Sequence, residues 1–473
     1  MRLQHAPERI IESVEVAVRL PLEEGLEFER EQFMRCARHP QAKALQHRFF
    51  AERQASVVPG LATGVQPRTV TKGAVIGAGT MGRGIAMCFA NAGVPVVLMD
   101  GSPPALEQAL DLIRKTYEGS VKRGRLSAED LEHRMSLIQT SLSYDALRDA
   151  DFIVEAVFEL MSVKKTVFAE IDKVAPPGAV LASNTSFLSI DEIASATSRP
   201  GDVVGTHFFA PANVMRLLEI VRGDTATSDE ALVTALSLAK SMGKIAVVAG
   251  NSYGFIGNRM VNAYLHQADL LLLEGAQPEQ IDRALVDFGM AMGPLQMRDL
   301  SGFSGVAKSR RARGLEHFDP RSLPVIERLI EQGRHGQKTL AGYYDYEPQS
   351  RDGKPSAVVQ QLISDVAQEL GIERRSMTDE EIVERCLLAM ANIGMDILAE
   401  RVAIRASDID VVYLNGYGFP AHQGGPMHWL EHEVGLAKGL EKLKALSAHV
   451  GERWLRPSPL LEQLVARGEG LPK

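Results

Sequence analysis

A histidine and a glutamate twelve positions apart, His207 and Glu219, are the residues best suited to acid–base chemistry. They lie in two apolar runs that predict neighbouring buried strands, Asp202 to His207 and Met215 to Val221. Histidine titrates near neutral pH, so it can take the proton of a substrate hydroxyl. A buried glutamate on the other ring nitrogen would hold the tautomer and stabilise the imidazolium. The alternative is a histidine that only satisfies hydrogen bonds in a core, with the glutamate at the surface.

Small polar residues follow a second predicted strand, Ala179 to Ser183, which leads into Asn184, Thr185 and Ser186. Open α/β sheets bind their ligands outside the carboxyl ends of the strands. His207 ends the next strand, so we expect Ser183 and His207 at one edge of the sheet. Taken alone, Ser183 is also compatible with a structural role.

A glycine-rich segment, Gly77-Ala78-Gly79-Thr80-Met81-Gly82, separates an apolar run from a helical pattern. In a dinucleotide site, Gly77 permits the tight turn, Gly79 lets the backbone approach a pyrophosphate, and Gly82 lets helix and strand pack closely. The N–H groups and the dipole at the start of the helix attract the phosphates. Thr80 and Met81 lie in the same turn and are predicted to contact the cofactor. Three glycines in an ordinary βα turn are the alternative.

Asp100 lies 18 residues after Gly82, at the end of the next apolar run. A carboxylate in this position accepts hydrogen bonds from the ribose hydroxyls and would repel a 2′-phosphate. Gly101 follows it where an arginine could have accommodated that phosphate. The combination predicts a dinucleotide site that takes NAD rather than NADP.

The elements that carry these residues fall into two classes. Residues 72–250 alternate strand and helix patterns, which predicts a Rossmann-like α/β domain with a parallel sheet. Residues 251–346 and 347–473 are predicted to be two helical domains. Arg259 precedes Glu274 by 15 residues, and Arg385 precedes Glu400 by the same interval. An internal duplication of a helical unit explains this correspondence.

Residues 1–56 read as helices without a core of their own, and residues 57–71 as a linker rich in proline and glycine. The helices from Glu8 onwards carry apolar residues that need a partner. We therefore expect Met1 to be the start of a truncated form rather than of the natural protein.

The composition is that of a globular enzyme: 473 residues, 45% hydrophobic, 24% charged, mean hydropathy −0.06. No apolar run approaches the ~18 residues that span a bilayer. A net charge of −8 argues against nucleic acid as a partner. The three cysteines are far apart, which predicts neither a metal site nor disulfides. The residues 470–473 differ from a peroxisomal signal, and the expected location is cytoplasmic.

The sequence combines several further motifs with those above: GxGxxG, Ala182-Ser183-Asn184-Thr185-Ser186, Gly205-Thr206-His207-Phe208-Phe209, Gly254-Phe255-Ile256-Gly257-Asn258-Arg259, Met292-Gly293-Pro294 and Gly336-Gln337-Lys338-Thr339. In combination these motifs resemble the L-3-hydroxyacyl-CoA dehydrogenases of fatty-acid β-oxidation, which implies an NAD-binding Rossmann domain and a helical C-terminal region. The duplicated helical unit resembles the dehydrogenase part of multifunctional β-oxidation enzymes. Residues 1–56 resemble the closing helices of the enoyl-CoA hydratase domain that precedes it, with the rest of that domain missing.

The resemblance implies a role for each matching position. His207 would be the general base and Glu219 its orienting partner, Ser183 would bond the reacting oxygen, and Asn258 would hold the substrate. Two departures affect the contacts near the site: Ala210 replaces an asparagine of the family, and Leu160 replaces an often polar residue. Glu159 and Lys164 match family positions beside the cofactor, and Arg123 matches a position that contacts coenzyme A. Because coenzyme A carries several negative charges, a basic patch is expected, and there are two candidate clusters: Lys122, Arg123 and Arg125, and Lys308, Arg310, Arg311 and Arg313. For both clusters the alternative is a solvated basic helix end.

The expected activity is NAD-dependent oxidation of (S)-3-hydroxyacyl-CoA to 3-ketoacyl-CoA. The expected partners are the acyl-CoA substrate and, in a longer protein, a hydratase domain and a thiolase; nucleic acid and membrane are not expected. No hydratase activity is expected from this chain. Two alternatives remain: a non-catalytic scaffold, and an NAD-linked dehydrogenase of a free hydroxyacid.

Overall fold

The computed structural model describes residues 3–303, 314, 319–350 and 352–472. The chain divides into two compact units, each built from separate stretches of sequence. We call Phe49–Asn258 with Glu400–Gly416 the sheet unit, and Met1–Arg48 with Arg259–Ala399 and Tyr417–Lys473 the helical unit.

One eight-stranded sheet forms the centre of the sheet unit, with the strand order β3-β2-β1-β4-β5-β6-β7-β8. Its strands are β1 Gly73–Ile76, β2 Val96–Met99, β3 Ile138–Ser141, β4 Phe152–Glu155, β5 Val180–Ser183, β6 Val203–Phe208, β7 Leu217–Arg222 and β8 Ile245–Gly250. The helices between the strands are α4 Thr80–Asn91, α5 Pro103–Lys122, α6 Ala128–Ser136, α7 Met161–Val174, α8 Ile190–Ala194 and α9 Asp229–Ser241. This arrangement confirms the predicted Rossmann-like domain.

The sequence explains where these elements begin. The central strands β1, β4 and β5 are buried along their whole length, as expected for strands covered by helices on both faces. Four helices begin at a serine whose hydroxyl accepts a backbone N–H of the first turn, which stabilises the helix start. These serines are Ser102 before α5, Ser127 before α6, Ser189 before α8 and Ser228 before α9.

One pair of strands departs from the predicted parallel sheet. β6 and β7 pair in antiparallel orientation, whereas every other neighbouring pair of this sheet is parallel. Only residues 209–216 connect these two strands, too few for the crossover that a parallel pair requires. The register of the pair places His207 directly opposite Glu219.

The predicted linker, residues 57–71, is hydrogen-bonded along the sheet unit. Its Ala62 N–H donates to Asp229 at 2.9 Å, and Arg68 Nη1 lies 2.6 Å from Asp202 Oδ1. Thr71 donates its N–H to Asp151 at 2.7 Å. These bonds attach the segment to the sheet unit, and the exact domain boundaries stay a prediction.

Helices make up most of the helical unit, with one short two-stranded sheet. The helices are α1 Ala6–Arg19, α2 Leu22–Arg38, α3 Pro40–Gln54 (shared with the sheet unit), α10 Gly257–Glu274 (from its third residue), α11 Pro278–Phe288, α12 Pro294–Ser301, α13 Pro324–Glu331, α14 Ala357–Glu369, α15 Asp379–Ala399, α16 Ala406–Gly416 (in the sheet unit), α17 Pro426–His428 (followed by a π-helical turn, Trp429–Val434), α18 Leu436–Val450, α19 Glu452–Leu455 and α20 Pro459–Arg467. The two strands are β9 Tyr344–Asp345 and β10 Lys354–Pro355.

The first copy carries Ile281-Asp282 and Gly293-Pro294, which recur in the second copy as Ile409-Asp410 and Gly425-Pro426. Asp282 accepts the N–H groups of Leu295 and Gln296 at the start of α12, at 2.9 and 3.0 Å. A Cβ on Gly293 would lie 2.2 Å from the Asp282 carboxyl carbon, which explains the glycine before Pro294. The equivalent aspartate of the second copy, Asp410, is buried as well.

An ion pair joins the two copies within the helical unit. Arg385 of the second copy donates both terminal nitrogens to Glu274 of the first, at 2.6 and 2.9 Å. The Arg385 side chain is 2% exposed, so Glu274 balances a positive charge that has almost no access to water.

Helices α1–α3 present many large apolar side chains to solvent, as expected from the lack of a core in residues 1–56. Among the described residues of these helices, exposure reaches 85% at Val18 and 77% at Leu22. The further members of this exposed apolar surface are Ile10, Ile11, Val14, Leu26, Phe33, Met34, Leu45, Phe49 and Phe50.

Within the described part of the chain, no helix combines the length and the hydropathy needed to cross a bilayer. The same residues contain no group of three or more histidine, cysteine or acidic side chains that could hold a metal ion. The basic cluster of Lys308, Arg310, Arg311 and Arg313 lies outside the described residues.

The buried pair of Asp269 and Arg298 provides a test of the helical unit. Arg298 donates to both Asp269 carboxylate oxygens, at 2.7 and 2.9 Å, and both side chains are at most 3% exposed. Asp269→Asn leaves the guanidinium without its counter-charge and should lower the free energy of unfolding by about 3–5 kcal/mol in urea titrations. The exposed pair of Glu347 and Lys354 is the control, and Lys354→Gln should leave unfolding unchanged. Equal effects of the two substitutions would contradict this assignment.

Candidate active site

The glycine-rich turn between β1 and α4 has the shape of a phosphate cradle. Gly77 has a φ of +103°, and a Cβ there would lie 2.6 Å from the Ala156 carbonyl oxygen. A Cβ on Gly82 would overlap the Gly77 carbonyl oxygen at 1.7 Å. Both glycines are therefore required by the fold itself.

Gly79 differs, because a Cβ on it would meet no described atom within 4 Å. Its φ of −69° is also open to any residue. Gly79 is the residue before α4, and no described side chain caps that helix. Helix-start N–H groups next to open space form an anion site, so the residues fit the pyrophosphate of a dinucleotide.

Asp100 follows β2 directly and lies beside this turn. Its Oδ2 accepts the N–H of Ala78 at 2.9 Å, and its Oδ1 accepts the N–H of Ser102 at 3.0 Å. Both bonds orient the carboxylate, and the residue is half-buried. This arrangement suits the ribose hydroxyls of NAD.

His207 and Glu219 form a buried pair across β6 and β7. The distance from His207 Nδ1 to Glu219 Oε2 is 2.7 Å, and the Glu219 side chain is fully buried. An ionised Glu219 accepts a hydrogen bond from Nδ1–H, and this tautomer leaves Nε2 as a hydrogen-bond acceptor. The rings of Phe209 and Phe255 pack at 4.5 and 5.8 Å from the imidazole, measured between ring centroids.

The second oxygen of Glu219 is held by backbone. Oε1 accepts the N–H groups of Ile256 and Gly257 at 3.2 and 3.0 Å. These N–H groups follow a tight turn in which both Gly254 and Phe255 have positive φ, +76° and +49°. A non-glycine residue in that region carries strain, so the turn is held by its surroundings.

The structure brings Ser186, and not Ser183, to the histidine. Ser186 Oγ lies 3.2 Å from His207 Nε2. Ser183 is fully buried and donates its hydroxyl to Glu155 Oε2 at 2.6 Å. Side chains alternate along a strand, and Ser183 as the last residue of β5 points at its neighbour Glu155 on β4. Ser186, three residues later in the loop, reaches the open edge.

Lys164 and Glu159 belong to a network beside this loop. Lys164 is fully buried and donates to both oxygens of Glu155, at 2.8 and 2.9 Å. Glu159 lies 3.3 Å from the Lys164 ammonium and accepts the N–H of Ser186 at 2.7 Å. The network therefore fixes the position of the residue that contacts His207.

The other residues named in the sequence analysis differ in how far they are buried. Asn258 is half-buried, and its Nδ2 lies 3.5 Å from the carbonyl oxygen of Ser186, so it joins the same cluster. Arg123 is exposed at the C-terminal end of α5, and its contact with coenzyme A stays a prediction. Ala210 and Leu160 are also exposed.

Sequence reasoning missed two residues of this site, Ser186 and Glu155. Ser186 ends the quoted polar motif, and the period of two along the preceding strand could have separated it from Ser183. Glu155 ends an otherwise apolar strand, and an ionisable residue in such a run indicates a buried charge that has a partner.

Two sequence models of one family match this chain. The 3-hydroxyacyl-CoA dehydrogenase NAD-binding domain matches residues 72–252, and the 3-hydroxyacyl-CoA dehydrogenase C-terminal domain matches residues 254–346 and again 382–470. The second match confirms the predicted duplication.

Curated relatives cover almost the whole chain. The peroxisomal bifunctional enzyme of Danio rerio is 43% identical over 98% of this chain and 66% of its own length. The human protein of that name is 40% identical, over 99% and 67%. A peroxisomal fatty acid beta-oxidation multifunctional protein of Arabidopsis thaliana is 34% identical, over 98% and 64%. The chain thus spans about two thirds of the length of these relatives.

Two solved structures share the architecture. The 3-hydroxybutyryl-CoA dehydrogenase of Escherichia coli superposes with a TM-score of 0.72 at 31% identity, over 85% of this chain and all of its own. The dehydrogenase part of multifunctional enzyme 1 from C. elegans has a TM-score of 0.66 at 30% identity, over 88% of this chain and 96% of its own.

The predicted cytoplasmic location is wrong, because the curated relatives are named as peroxisomal or glyoxysomal proteins. Receptors read location from short address signals. The charge and hydropathy of folded domains therefore carry no information about it.

The matched domains account for most of the chain, and their NAD-binding and C-terminal parts coincide with the cradle and with the duplicated helices. This chain belongs to the 3-hydroxyacyl-CoA dehydrogenase family of NAD-dependent oxidoreductases.

Proposed function

We propose that this chain oxidises (S)-3-hydroxyacyl-CoA to 3-ketoacyl-CoA in fatty-acid β-oxidation, with His207 as the general base. The observation that carries the proposal is the pairing of His207 Nδ1 with the buried Glu219 carboxylate at 2.7 Å. This pairing leaves Nε2 as an acceptor at the carboxyl edge of the sheet, where the glycine cradle also lies.

His207 takes the hydroxyl proton of the substrate on Nε2. The imidazolium that forms is stabilised by the carboxylate of Glu219, which is already in place beside the ring. The two backbone donors on Oε1 keep the Glu219 carboxylate in place during this change. The pair therefore acts without rearrangement.

Ser186 and Asn258 complete the proposed substrate site. Ser186 Oγ is near Nε2, so its hydroxyl can donate to the substrate oxygen that exchanges the proton with His207. The side-chain amide of Asn258 lies beside the Ser186 backbone, with Nδ2 3.5 Å from the Ser186 carbonyl oxygen. We assign to Ser186 the role expected for Ser183, and to Ser183 a structural one.

Gly77, Gly79, Thr80, Met81 and Gly82 would hold the pyrophosphate of NAD, and Asp100 its ribose. Glu159 and Lys164 are proposed to border the nicotinamide half. Bound NAD supplies the acceptor for the hydride that leaves the substrate carbon. The open space in front of Gly79 is the feature of this chain that supports this placement.

We further propose that the chain is the dehydrogenase part of a longer bifunctional enzyme of peroxisomal type. The apolar surface of α1–α3 would then pack against a hydratase-type domain, since large apolar side chains exposed together mark an interaction surface. Coenzyme A would lie near the exposed base Arg123. Hydratase chemistry is not proposed for these 473 residues.

His207→Gln should lower kcat for acetoacetyl-CoA reduction by about 10²–10⁴-fold, because the proton donor and acceptor is lost. The Kd for NADH, measured by fluorescence, should remain nearly unchanged. Free acetoacetate serves as the second substrate and should react poorly. An undiminished rate in the variant would refute the role of His207. Equal rates with free acetoacetate would favour a dehydrogenase of free hydroxyacids. Inactivity of the unmodified chain would favour a non-catalytic scaffold.

Ser186→Ala and Ser183→Ala separate the two serines. Ser186→Ala should lower kcat/KM about tenfold or more, because a donor to the reacting oxygen is lost. Ser183→Ala leaves Glu155 with an unfilled acceptor and should lower the free energy of unfolding by about 1–3 kcal/mol. Steady-state kinetics and urea unfolding of both variants decide the point. The reverse pattern would return the catalytic assignment to Ser183.

Gly79→Ala and Gly82→Ala test the cradle. The Gly79→Ala methyl group faces open space, so thermal unfolding of the cofactor-free chain should change little, while the Kd for NADH should rise roughly tenfold. The Gly82→Ala methyl group would overlap the Gly77 carbonyl and should destabilise the cofactor-free chain by about 1–3 kcal/mol. Unaltered NADH binding by Gly79→Ala would place the pyrophosphate elsewhere.

A further inference from the structure

We propose that Tyr413, on helix α16 of the second helical repeat, is a positioning residue for the His207–Glu219 pair. The inference rests on the proposed function and extends it to a residue outside the NAD-binding domain. It gives the second repeat a share in the geometry of catalysis.

Helix α16 is part of the sheet unit although its sequence belongs to the second repeat. The segment before it runs antiparallel to the end of β8, where Ala249 pairs with Ala403 and Gly250 N–H donates to Val402 O at 2.8 Å. At the far end of α16, a Cβ on Gly416 would overlap a Leu217 methyl carbon of β7 at 2.4 Å. The helix is therefore packed closely along β7 and β8, and β7 carries Glu219.

Two polar contacts hold the two ends of α16. Arg405 donates to the Val57 carbonyl oxygen at 2.8 Å and pairs with Asp408 at 3.2 Å, with both side chains at most 5% exposed. Asn415 Nδ2 donates to Glu52 Oε1 at 3.2 Å. The position of Tyr413 is thus determined at both ends of its helix.

The Tyr413 hydroxyl donates to the carbonyl oxygen of Gly257 at 3.1 Å, inside a fully buried environment. Burial, together with the nearby Glu219 carboxylate, raises the pKa of Tyr413 well above its ordinary value. The phenol therefore stays protonated and remains a donor.

Gly257 connects this contact to the catalytic pair. Its N–H donates to Glu219 Oε1 at 3.0 Å, and its carbonyl accepts from Tyr413. The peptide unit of that carbonyl also contains the N–H of Asn258, so both flanks of Gly257 lead to proposed site residues. Glycine has the widest backbone freedom, and it is the residue whose orientation an external donor fixes most effectively.

A buried tyrosine that only needs a hydrogen bond can use any free carbonyl. Here the accepting residue is one of the two that donate to Glu219. Without the tyrosine hydroxyl, Gly257 can turn, and its N–H bond to Oε1 lengthens. More negative charge then remains on Oε2, which faces His207.

The groups that contact the His207 ring limit what else could change its titration. Among the described residues they are the Glu219 carboxylate from β7, the Ser186 hydroxyl after β5 and the rings of Phe209 and Phe255. Glu219 is the charged member of this set. A change in the hydrogen bonds that Glu219 accepts should therefore alter the titration of His207 directly.

The test uses Tyr413→Phe in the full chain, with Tyr346→Phe as a matched control. Tyr346 lies in the helical unit, is 7% exposed and donates its hydroxyl to Asp299 at 2.9 Å. Both substitutions remove one buried hydroxyl together with the hydrogen bond that it donates. Rates with acetoacetyl-CoA and 3-hydroxybutyryl-CoA are measured from pH 5 to 9.

Tyr413→Phe should lower kcat about two- to tenfold, the equivalent of one hydrogen bond, with KM nearly unchanged. The acid limb of the kcat/KM profile should move to higher pH by about half a unit, because Glu219 stabilises the imidazolium more strongly. A ¹³C-histidine NMR titration of the cofactor-free chain should show the same displacement for His207. Tyr346→Phe should leave both profiles unchanged.

A Tyr413→Phe variant with the kcat, the acid limb and the NMR titration of the unmodified chain would overturn the inference. A loss of stability alone, equal to that of the control, would do the same and leave Tyr413 a core residue. Inactivity of the unmodified chain would instead refute the proposed function, and the NMR comparison would still decide the role of Tyr413.

Discussion

A carboxylate without access to water has to be matched by donors, and this requirement governs the site around Glu219. Its side chain is fully buried and its two oxygens accept three N–H groups, one from His207 and two from the turn after β8. Removing any donor leaves part of a buried charge uncompensated. The turn, with its two positive φ values, and the start of α10 are therefore constrained by the same group that orients the histidine.

The antiparallel pair of β6 and β7 makes this match possible. In a parallel pair the residues facing each other would belong to strands separated by a long crossover. Here a connection of eight residues, 209–216, brings His207 and Glu219 into register. The remaining parallel strands supply the carboxyl edge on which the glycine turn, Asp100 and Ser186 lie. The reversal of direction between β6 and β7 thus combines a nucleotide-binding sheet with an acid–base pair.

Local patterns were sufficient to predict the fold class. Apolar runs and glycine spacing predicted the Rossmann-like sheet, and the spacing of Arg259 and Arg385 relative to their glutamates predicted the duplication. The motif favoured Ser183, whereas Ser186 lies beside His207, because a motif read as letters ignores the strand period that buries alternate residues. The antiparallel direction of β7 was not predicted, because an apolar run does not indicate the direction in which its strand lies in the sheet. Tyr413 has no local signal at all: its partner Gly257 is 156 residues away in sequence.

The discontinuous composition of the two units has a consequence for any attempt to simplify the chain. The sheet unit takes α16 from the second repeat, and the helical unit takes its first two helices from the start of the chain. No single cut in the sequence therefore separates them. A fragment ending at residue 346 would contain every residue of the sheet and would still lack the helix that covers β7 and β8. One segment of the second repeat, Glu400–Gly416, belongs to the unit that contains the sheet, so the second repeat cannot be removed without taking part of that unit with it.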